Sequence, residues 1–193
     1  MMDRFARIVL GYHGCREPEA QSFARKLLLG EAGVEDWRPS ENEWDWLGKG
    51  IYFWEHSPER AFEWSAGGLV IGAVIQLGHC LDLTDRRFTE MLAQAFTSLA
   101  ESYKEQQLPL PDNKGREKKN RALDRLVINH LVDLLASTSL QIQTVRGAFE
   151  EGDEAFPGSL LKKQTHIQIA VRDPTCILGV FRPTAVASER DMQ

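Results

Sequence analysis

The stretch LGKGIYFW at residues 47–54 decides the fold of this chain. Glycines at positions 48 and 50 permit a tight entry into a strand, which we predict over residues 50–54. Strand alternation directs Ile51 to the core and leaves Tyr52 as either a core aromatic or a ring that covers a flat ligand. Ser57 and Pro58 then suit the N-cap and the first position of a helix that is predicted to run to about Ser65.

Further strands and helices are predicted on both sides of this unit. Apolar, β-branched runs predict strands over residues 5–12, 69–77, 142–149, 166–171 and 177–181. Apolar residues at helical spacing predict helices over residues 18–29, 88–105 and 122–135. Polar and Pro/Gly-rich composition predicts loops over residues 37–47 and 108–119. Helices early in the chain and strands clustered late predict an α+β fold with mainly antiparallel sheets. At 193 residues the chain is expected to form one domain, 1–193.

Composition favours a soluble, cytoplasmic protein. The hydrophobic share of 42% and the charged share of 26% are ordinary for a globular domain, and a net charge of -5 gives no general attraction to nucleic acid or to an anionic membrane. Three widely spaced cysteines, Cys15, Cys80 and Cys176, are expected to be reduced thiols. No apolar run has the length of a membrane span, and the first residues do not resemble a secretory signal.

A second motif, YHGC at residues 12–15, is expected at the end of the first strand. A glycine at position 14 allows a ligand to approach the backbone closely, so its N–H and C=O can pair with a carboxamide. The ring of Tyr52 offers a flat aromatic surface. Nicotinamide satisfies both demands, because it carries a primary amide on an aromatic ring.

Together these motifs resemble the ADP-ribosyltransferase superfamily, in particular its diphtheria-toxin and poly(ADP-ribose)-polymerase branch. That branch has HG followed by a small hydroxyl residue, where this chain has Cys15, and later G-x-G-I-Y-F, which residues 48–53 match without a gap. Residues 74–78 (VIQLG) resemble the strand that follows. Aligning residues 171–174 (VRDP) with the end of the third motif places Gln168 where the family has its catalytic glutamate. The resemblance implies a split antiparallel β core with flanking helices.

The resemblance also implies a role for each matched residue. His13 would bond to the adenosine ribose of NAD, the Gly14 backbone would hold the nicotinamide amide, and Tyr52 would stack on the nicotinamide ring. Phe62 or Trp64 would form the opposite wall. The implied catalytic residues are His13, Tyr52 and Gln168, and the implied NAD-binding residues are His13, Gly14, Gly50, Tyr52 and Trp64. No metal is expected.

Glutamine at position 168 departs from the family pattern. Its amide oxygen can orient a ribose hydroxyl, but it brings no negative charge and cannot act as a base. This difference favours mono-ADP-ribosyl transfer over polymer synthesis. His166, two residues earlier on the same strand face, could supplement Gln168, and so could an acidic residue from residues 150–154 (EEGDE). The sequence does not choose between them.

Several functional alternatives stay open at this point. The macromolecular acceptor could be protein or nucleic acid, the biological role could be that of a toxin or defence effector, and an antitoxin partner is possible. Rival functions are an NAD glycohydrolase, an RNA 2′-phosphotransferase and an inactive module that binds NAD or ADP-ribose. Five tryptophans either pack a loop or roof the NAD pocket, with packing favoured for Trp54: Trp37, Trp44, Trp46, Trp54 and Trp64. A local basic cluster is either a solvated loop or a phosphate-contacting patch: Lys114, Arg116, Lys118, Lys119 and Arg121.

Overall fold

The computed structural model of the chain describes residues 7–115 and 120–184. These residues form seven strands: β1 Ile8–Cys15, β2 Ile51–Glu55, β3 Leu69–Gln76, β4 Cys80–Asp82, β5 Thr144–Phe149, β6 His166–Val171 and β7 Ile177–Phe181. They also form four α-helices: α1 Pro18–Leu29, α2 Pro58–Ser65, α3 Arg86–Glu105 and α4 Ala122–Ser137. The predicted bounds of α1, β6 and β7 are therefore confirmed at both ends.

All seven strands belong to one sheet with the order β4-β5-β6-β2-β1-β3-β7. Neighbouring strands are antiparallel, except that β4 and β5 run parallel. The predicted α+β class and the mainly antiparallel pairing are confirmed. Strand β4 was not predicted, because its three residues are too few to show a period, and the parallel edge pair was missed with it.

Helices cover both faces of the sheet. On one face α1 and Trp37 pack against residues that are almost completely buried, namely Phe53, Ile71, Ile75 and Ile169. On the other face α3 and α4 pack, through Leu99 and Leu131 among others, against Val145 and Ala170. Burial of each such side chain contributes roughly 1.5–3 kcal/mol. The sheet is thus the central layer, and it positions any residue that its strands carry.

Strand β1 ends later in the chain than the sequence predicted. It was expected to end at Tyr12, but it continues through His13 and Gly14 to Cys15, because β3 pairs with it along this whole length. A side chain at Gly14 would place its Cβ 2.5 Å from the Ala61 carbonyl oxygen of α2. Glycine at this position therefore allows α2 to lie directly on the strand.

Strands β1 and β2 separate part of the way along their length. Among the described residues, β1 and β2 are paired only at Gly11 opposite Glu55 and at Tyr12 opposite Trp54. Beyond that point β1 stays paired with β3, and β2 stays paired with β6 as far as Ile51. The sheet is therefore continuous at one end and open at the other, where His13 enters the gap.

The turn before β2 explains the glycine at position 48. Gly48 has a φ of 79°, which favours glycine, and a Cβ there would lie 2.5 Å from Oδ1 of Asn129 on α4. The same Oδ1 accepts hydrogen bonds from the backbone N–H of Lys49 and from the Arg172 guanidinium. Helix α4 and the end of β6 therefore hold the entry into β2.

Helix α2 begins with Pro58, as predicted. The expected cap is wrong in one respect: within the part of the chain that the structure describes, the Ser57 hydroxyl makes no capping hydrogen bond. The three cysteines, all of which are described, are buried and unbridged, and burial raises the pKa of the Cys15 thiol to about 11. In residues 7–115 and 120–184 no helix has the length and apolarity that crossing a membrane requires.

Candidate functional site: a cleft at the opening of the sheet

A cleft of about 1040 Å³ lies where β1 and β2 separate. Its walls come from β1, β2, β6, α1, α2, the loop before β2 and the segment between β5 and β6. All six of the predicted site residues line it: His13, Gly14, Gly50, Tyr52, Trp64 and Gln168. Cross-strand pairing places Trp54 and Gln168 on one face of the sheet, whereas His13 belongs to the other face. The cleft therefore reaches both faces through the gap.

His13 bridges the two diverging strands. Its Nδ1 lies 2.7 Å from the Tyr52 carbonyl oxygen, and since a carbonyl can only accept, Nδ1 carries the proton. Burial lowers the pKa of His13, which favours the neutral ring. The Trp37 ring meets the imidazole edge to face at 5.0 Å. Nε2 is then left as a hydrogen-bond acceptor, suited to a ligand hydroxyl.

The two glycines of the site differ in what their backbones offer. The Leu10 carbonyl accepts a hydrogen bond from the His56 N–H, 2.9 Å away, on the side of β2. Every second residue of a strand directs its backbone N–H and C=O to the same side. Gly14 lies four residues after Leu10 on β1, so its N–H and C=O also point toward the side of β2, which at this position is the gap. Gly50, in contrast, exchanges hydrogen bonds of 2.8 and 3.2 Å with Ser40. Gly14 can thus bind a carboxamide through its backbone, whereas Gly50 allows β6 to pack closely, because a Cβ there would lie 2.9 Å from that of Ala170.

The ring of Tyr52 is held in one position by its hydroxyl. That hydroxyl donates to the Gly48 carbonyl at 2.6 Å and accepts from the Leu47 N–H at 2.9 Å. Burial strongly raises the pKa of Tyr52, with a smaller contribution from Asp45. The phenol is therefore neutral and anchored at its outer end, and its ring forms a rigid wall of the cleft.

The structure separates the two candidates for the opposite wall. Trp64 lines the cleft, and the Arg16 guanidinium lies 5.5 Å from the centre of its ring. Phe62, on the same helix, packs instead into the small apolar cluster that contains Trp54 and Val70. Trp64 is thus the aromatic residue of α2 that a ligand in the cleft can meet.

Gln168 is oriented by His166. The Nε2 atoms of the two side chains lie 3.0 Å apart, and the His166 Nδ1 lies 2.7 Å from the Gln164 carbonyl oxygen. That carbonyl requires a proton on Nδ1, so the His166 Nε2 is an acceptor and the Gln168 amide donates to it. Burial lowers the pKa of His166, which is consistent with a neutral ring.

An acidic residue from the predicted EEGDE stretch also lies at this end of the cleft. The Glu151 Oε2 lies 2.9 Å from Arg60 Nη2 and 3.7 Å from His166 Nδ1. Arg60 also forms an ion pair with Glu63. Both of the supplements that the sequence left open are therefore present at this end of the cleft, where His166 lies between Glu151 and Gln168.

Sequence reasoning missed several residues of the cleft. Asp45 is buried and accepts hydrogen bonds from the Ser40 hydroxyl, the shorter of 2.8 Å, and burial raises its pKa. Arg60 also lines the cleft. The available signal for Asp45 was its place between two tryptophans, in residues 44–46 (WDW). A loop that packs two neighbouring aromatic side chains can also bury the residue between them.

The tryptophans and the basic cluster divide between packing and the cleft. Trp54 is buried, in line with the packing role favoured for it, but it also lines the cleft, and Trp44 is exposed at the cleft rim. Trp46 also lines the cleft, and the Arg121 guanidinium lies 4.3 Å from its ring and 4.7 Å from that of Phe149. The remaining basic residues are the exposed Lys114 and three that lie outside the described residues, Arg116, Lys118 and Lys119.

Comparison with known proteins finds no match to this chain among protein-family profiles, curated proteins or solved structures. Among residues 7–115 and 120–184, no three His, Cys, Asp or Glu side chains come together in an arrangement that could hold a metal ion.

Proposed function

We propose that this protein binds NAD in the cleft and transfers a single ADP-ribosyl group from it to a macromolecular acceptor. The observation that carries the proposal is the separation of β1 from β2, which directs the Gly14 backbone, the Tyr52 ring and the Gln168 amide into one cleft. The resemblance of the sequence motifs to ADP-ribosyltransferases supports the same assignment of roles to these three residues.

The size and polarity of the cleft suit a dinucleotide. Small-molecule pockets range from about 300 to 1,000 Å³, and this cleft is at the upper end of that range. NAD carries a ribose near each end, and the cleft provides an acceptor for a hydroxyl on each face of the sheet: Nε2 of His13 on one face and the amide oxygen of Gln168 on the other. Tyr52 and Trp64 provide aromatic surfaces for the nicotinamide.

The reaction breaks the bond between the ribose C1′ and the nicotinamide nitrogen. The electron pair of that bond leaves with nicotinamide, and C1′ develops oxocarbenium character before it bonds to a nucleophilic atom of the acceptor, which loses its proton to solvent. Gly14 would hold the departing amide, and the oxygen of Gln168 would accept from a ribose hydroxyl. Without a carboxylate at position 168 the enzyme must depend more strongly on positioning than the family pattern does.

The acceptor would approach along the hairpin that joins β5 to β6. Hydrogen bonds of 2.9 and 3.0 Å, from the Ala155 N–H to the Leu161 carbonyl and from the Lys163 N–H to the Asp153 carbonyl, hold the hairpin together. Its tip exposes three large apolar side chains: Phe156 (61%), Leu160 (91%) and Leu161 (70%). Residues 150–165 contain four acidic residues and two lysines. Apolar tips and net negative charge favour a protein acceptor over nucleic acid.

One further candidate function is an inactive NAD-binding module. The specific observation in its favour is the glutamine at position 168, which supplies hydrogen bonds without charge. In that case NAD would occupy the same cleft through the same contacts, and the nicotinamide–ribose bond would stay intact.

The deciding experiment incubates the pure protein with adenine-labelled NAD and a bacterial lysate, with and without nuclease. Label on protein that is lost in Tyr52→Ala and reduced but measurable in Gln168→Ala supports the proposal. Gln106→Ala, the same change at an exposed site at the end of α3, is the matched control and should retain labelling. Label that nuclease removes would indicate that the acceptor is nucleic acid. Nicotinamide release without label would indicate a glycohydrolase, and NAD binding without release would indicate the inactive module.

A further inference from the structure

Three side chains form a chain of contacts at the end of the cleft where Gln168 lies. Glu151 Oε2 lies 3.7 Å from Nδ1 of His166, and Nε2 of His166 lies 3.0 Å from Nε2 of Gln168. The His166 side chain is 0% exposed and that of Glu151 is 10% exposed. Gln168 itself lines the cleft. Glu151 also lines the cleft, whereas His166 lies between the two and does not.

The hydrogen bonds of His166 determine which atom of the Gln168 amide faces the cleft. The Gln164 carbonyl, 2.7 Å from Nδ1, requires a proton on that nitrogen, so Nε2 presents a lone pair. Only the NH₂ end of the amide can pair with a lone pair. The amide oxygen of Gln168 is thereby turned away from His166 and toward the cleft, where it can accept from a ribose hydroxyl.

Glu151 and Arg60 stabilise this arrangement from the other side of the ring. A carboxylate beside Nδ1 favours a proton on that nitrogen, and Arg60, 2.9 Å from Glu151, keeps the carboxylate in place. Burial has the largest effect and lowers the pKa of His166; the Gln164 carbonyl and Glu151 raise it, and Arg60 and Arg121 lower it further. The rings of Trp46 and Phe149 pack about 6 Å from the imidazole.

We propose that Glu151, held by Arg60, acts through His166 to keep the Gln168 amide in the orientation that NAD cleavage requires, so that Glu151 and His166 are positioning residues. The proposal rests on the proposed function. It also explains how a glutamine can serve at position 168, because an amide with two different ends is useful only when its orientation is specified.

The first test measures the His166 tautomer by ¹⁵N NMR of histidine-labelled protein, which needs no turnover. We expect Nδ1–H with unprotonated Nε2 at neutral pH. Glu151→Gln should shift the titration midpoint of His166 downward, because it removes a charge that favours the imidazolium. Glu150→Gln, an exposed neighbour on the same loop, should leave the midpoint unchanged. An Nε2–H tautomer in the wild-type protein would overturn the proposal.

The second test is a double-variant cycle on NAD cleavage. His166→Phe keeps a flat ring between Trp46 and Phe149 but removes the acceptor for the Gln168 amide. We expect kcat to fall about tenfold or more in His166→Phe and in Glu151→Gln, with the KM for NAD changed less than about twofold. In a Gln168→Ala background His166→Phe should have no further effect, because both changes act on one group. Independent, multiplying losses would refute the positioning role.

The two proposals fail in different ways. If the wild-type protein does not consume NAD but shows the Nδ1–H tautomer and the Glu151-dependent midpoint, the proposed function fails and the chain of contacts stands. If the protein consumes NAD and His166 is protonated on Nε2, the positioning role fails and the transferase stands.

Discussion

The Nδ1 atom of His13 lies 2.7 Å from the Tyr52 carbonyl oxygen, across the point where β1 and β2 separate. In a continuous sheet that carbonyl would accept from the backbone of the neighbouring strand. Here a side chain takes the place of the backbone donor, which satisfies the carbonyl while the strands move apart. One hydrogen bond thus stabilises the open end of the sheet and leaves the opposite ring nitrogen as an acceptor in the cleft.

His13→Ala should therefore lower both stability and NAD affinity. The Tyr52 carbonyl would lose its partner, at a cost of about 1–3 kcal/mol of unfolding free energy. The Kd for NAD should rise at least about tenfold with the loss of a ligand hydrogen bond. Urea unfolding and NAD titration measure the two effects separately. An unchanged Kd in a destabilised variant would confine His13 to a structural role.

The stability of the protein should decrease in mild acid. The pKa values of His13 and His166 both lie below the ordinary value of 6.5, chiefly because of burial. The unfolded chain therefore takes up protons at a higher pH than the folded one, and the stabilisation present above 6.5 is lost as the pH falls toward the folded-state pKa values. When the pH is lowered from about 7.5 to about 5, the urea midpoint of unfolding should decrease less in His13→Gln and in His166→Phe than in the wild-type protein. Parallel curves for all three proteins would contradict this.

Gly14→Ala should be destabilising, because its Cβ would lie 2.5 Å from the Ala61 carbonyl oxygen and α2 would have to move. We expect a loss of roughly 1–3 kcal/mol together with weaker NAD binding. Gly179→Ala on β7 is the matched control, since a Cβ there meets no described atom within 4 Å. Its stability should be unchanged or higher by up to about 1 kcal/mol. Equal stabilities of the two variants, measured by thermal unfolding, would show that α2 adjusts freely.

The ring and the hydroxyl of Tyr52 should prove separable. Tyr52→Phe leaves the Leu47 N–H and the Gly48 carbonyl without their partner, which should cost about 1–3 kcal/mol of stability while NAD binding is retained. Tyr52→Ala removes the stacking surface and should abolish detectable labelling. Unfolding curves and NAD titrations of both variants test this. Retained binding in a folded Tyr52→Ala protein would exclude the ring from the NAD site.

Gln168→Glu should increase the rate of NAD cleavage. A carboxylate at this position adds negative charge near the developing oxocarbenium ion, and we expect a gain of about tenfold or more in kcat. The same carboxylate lies beside Nε2 of His166 and should raise the pKa of that ring. Nicotinamide release and a ¹⁵N titration of His166 follow the two effects. A raised His166 pKa with no cleavage in either protein would favour the inactive NAD-binding module.

Local sequence predicted much of the fold and named residues that share a cleft. The spacing of apolar residues was sufficient to predict where α1, β6 and β7 begin and end. The motif at residues 48–53 identified the entry into β2. The short β4 and the parallel pairing of β4 with β5 were not predictable in this way, because three residues show no period and pairing partners lie far apart in the chain.

What the sequence by itself determined was the set of local elements and the residue types at their ends, since these depend on neighbours a few positions away. Tertiary structure alone decided where β1 leaves β2, and it alone brought Glu151 to Arg60, 91 positions earlier in the chain. Contacts of this kind depend on how whole strands and helices pack around the sheet, and no local period records them. Glu151 was therefore one of several acidic candidates in the sequence and became a specific neighbour of His166 only in the folded chain.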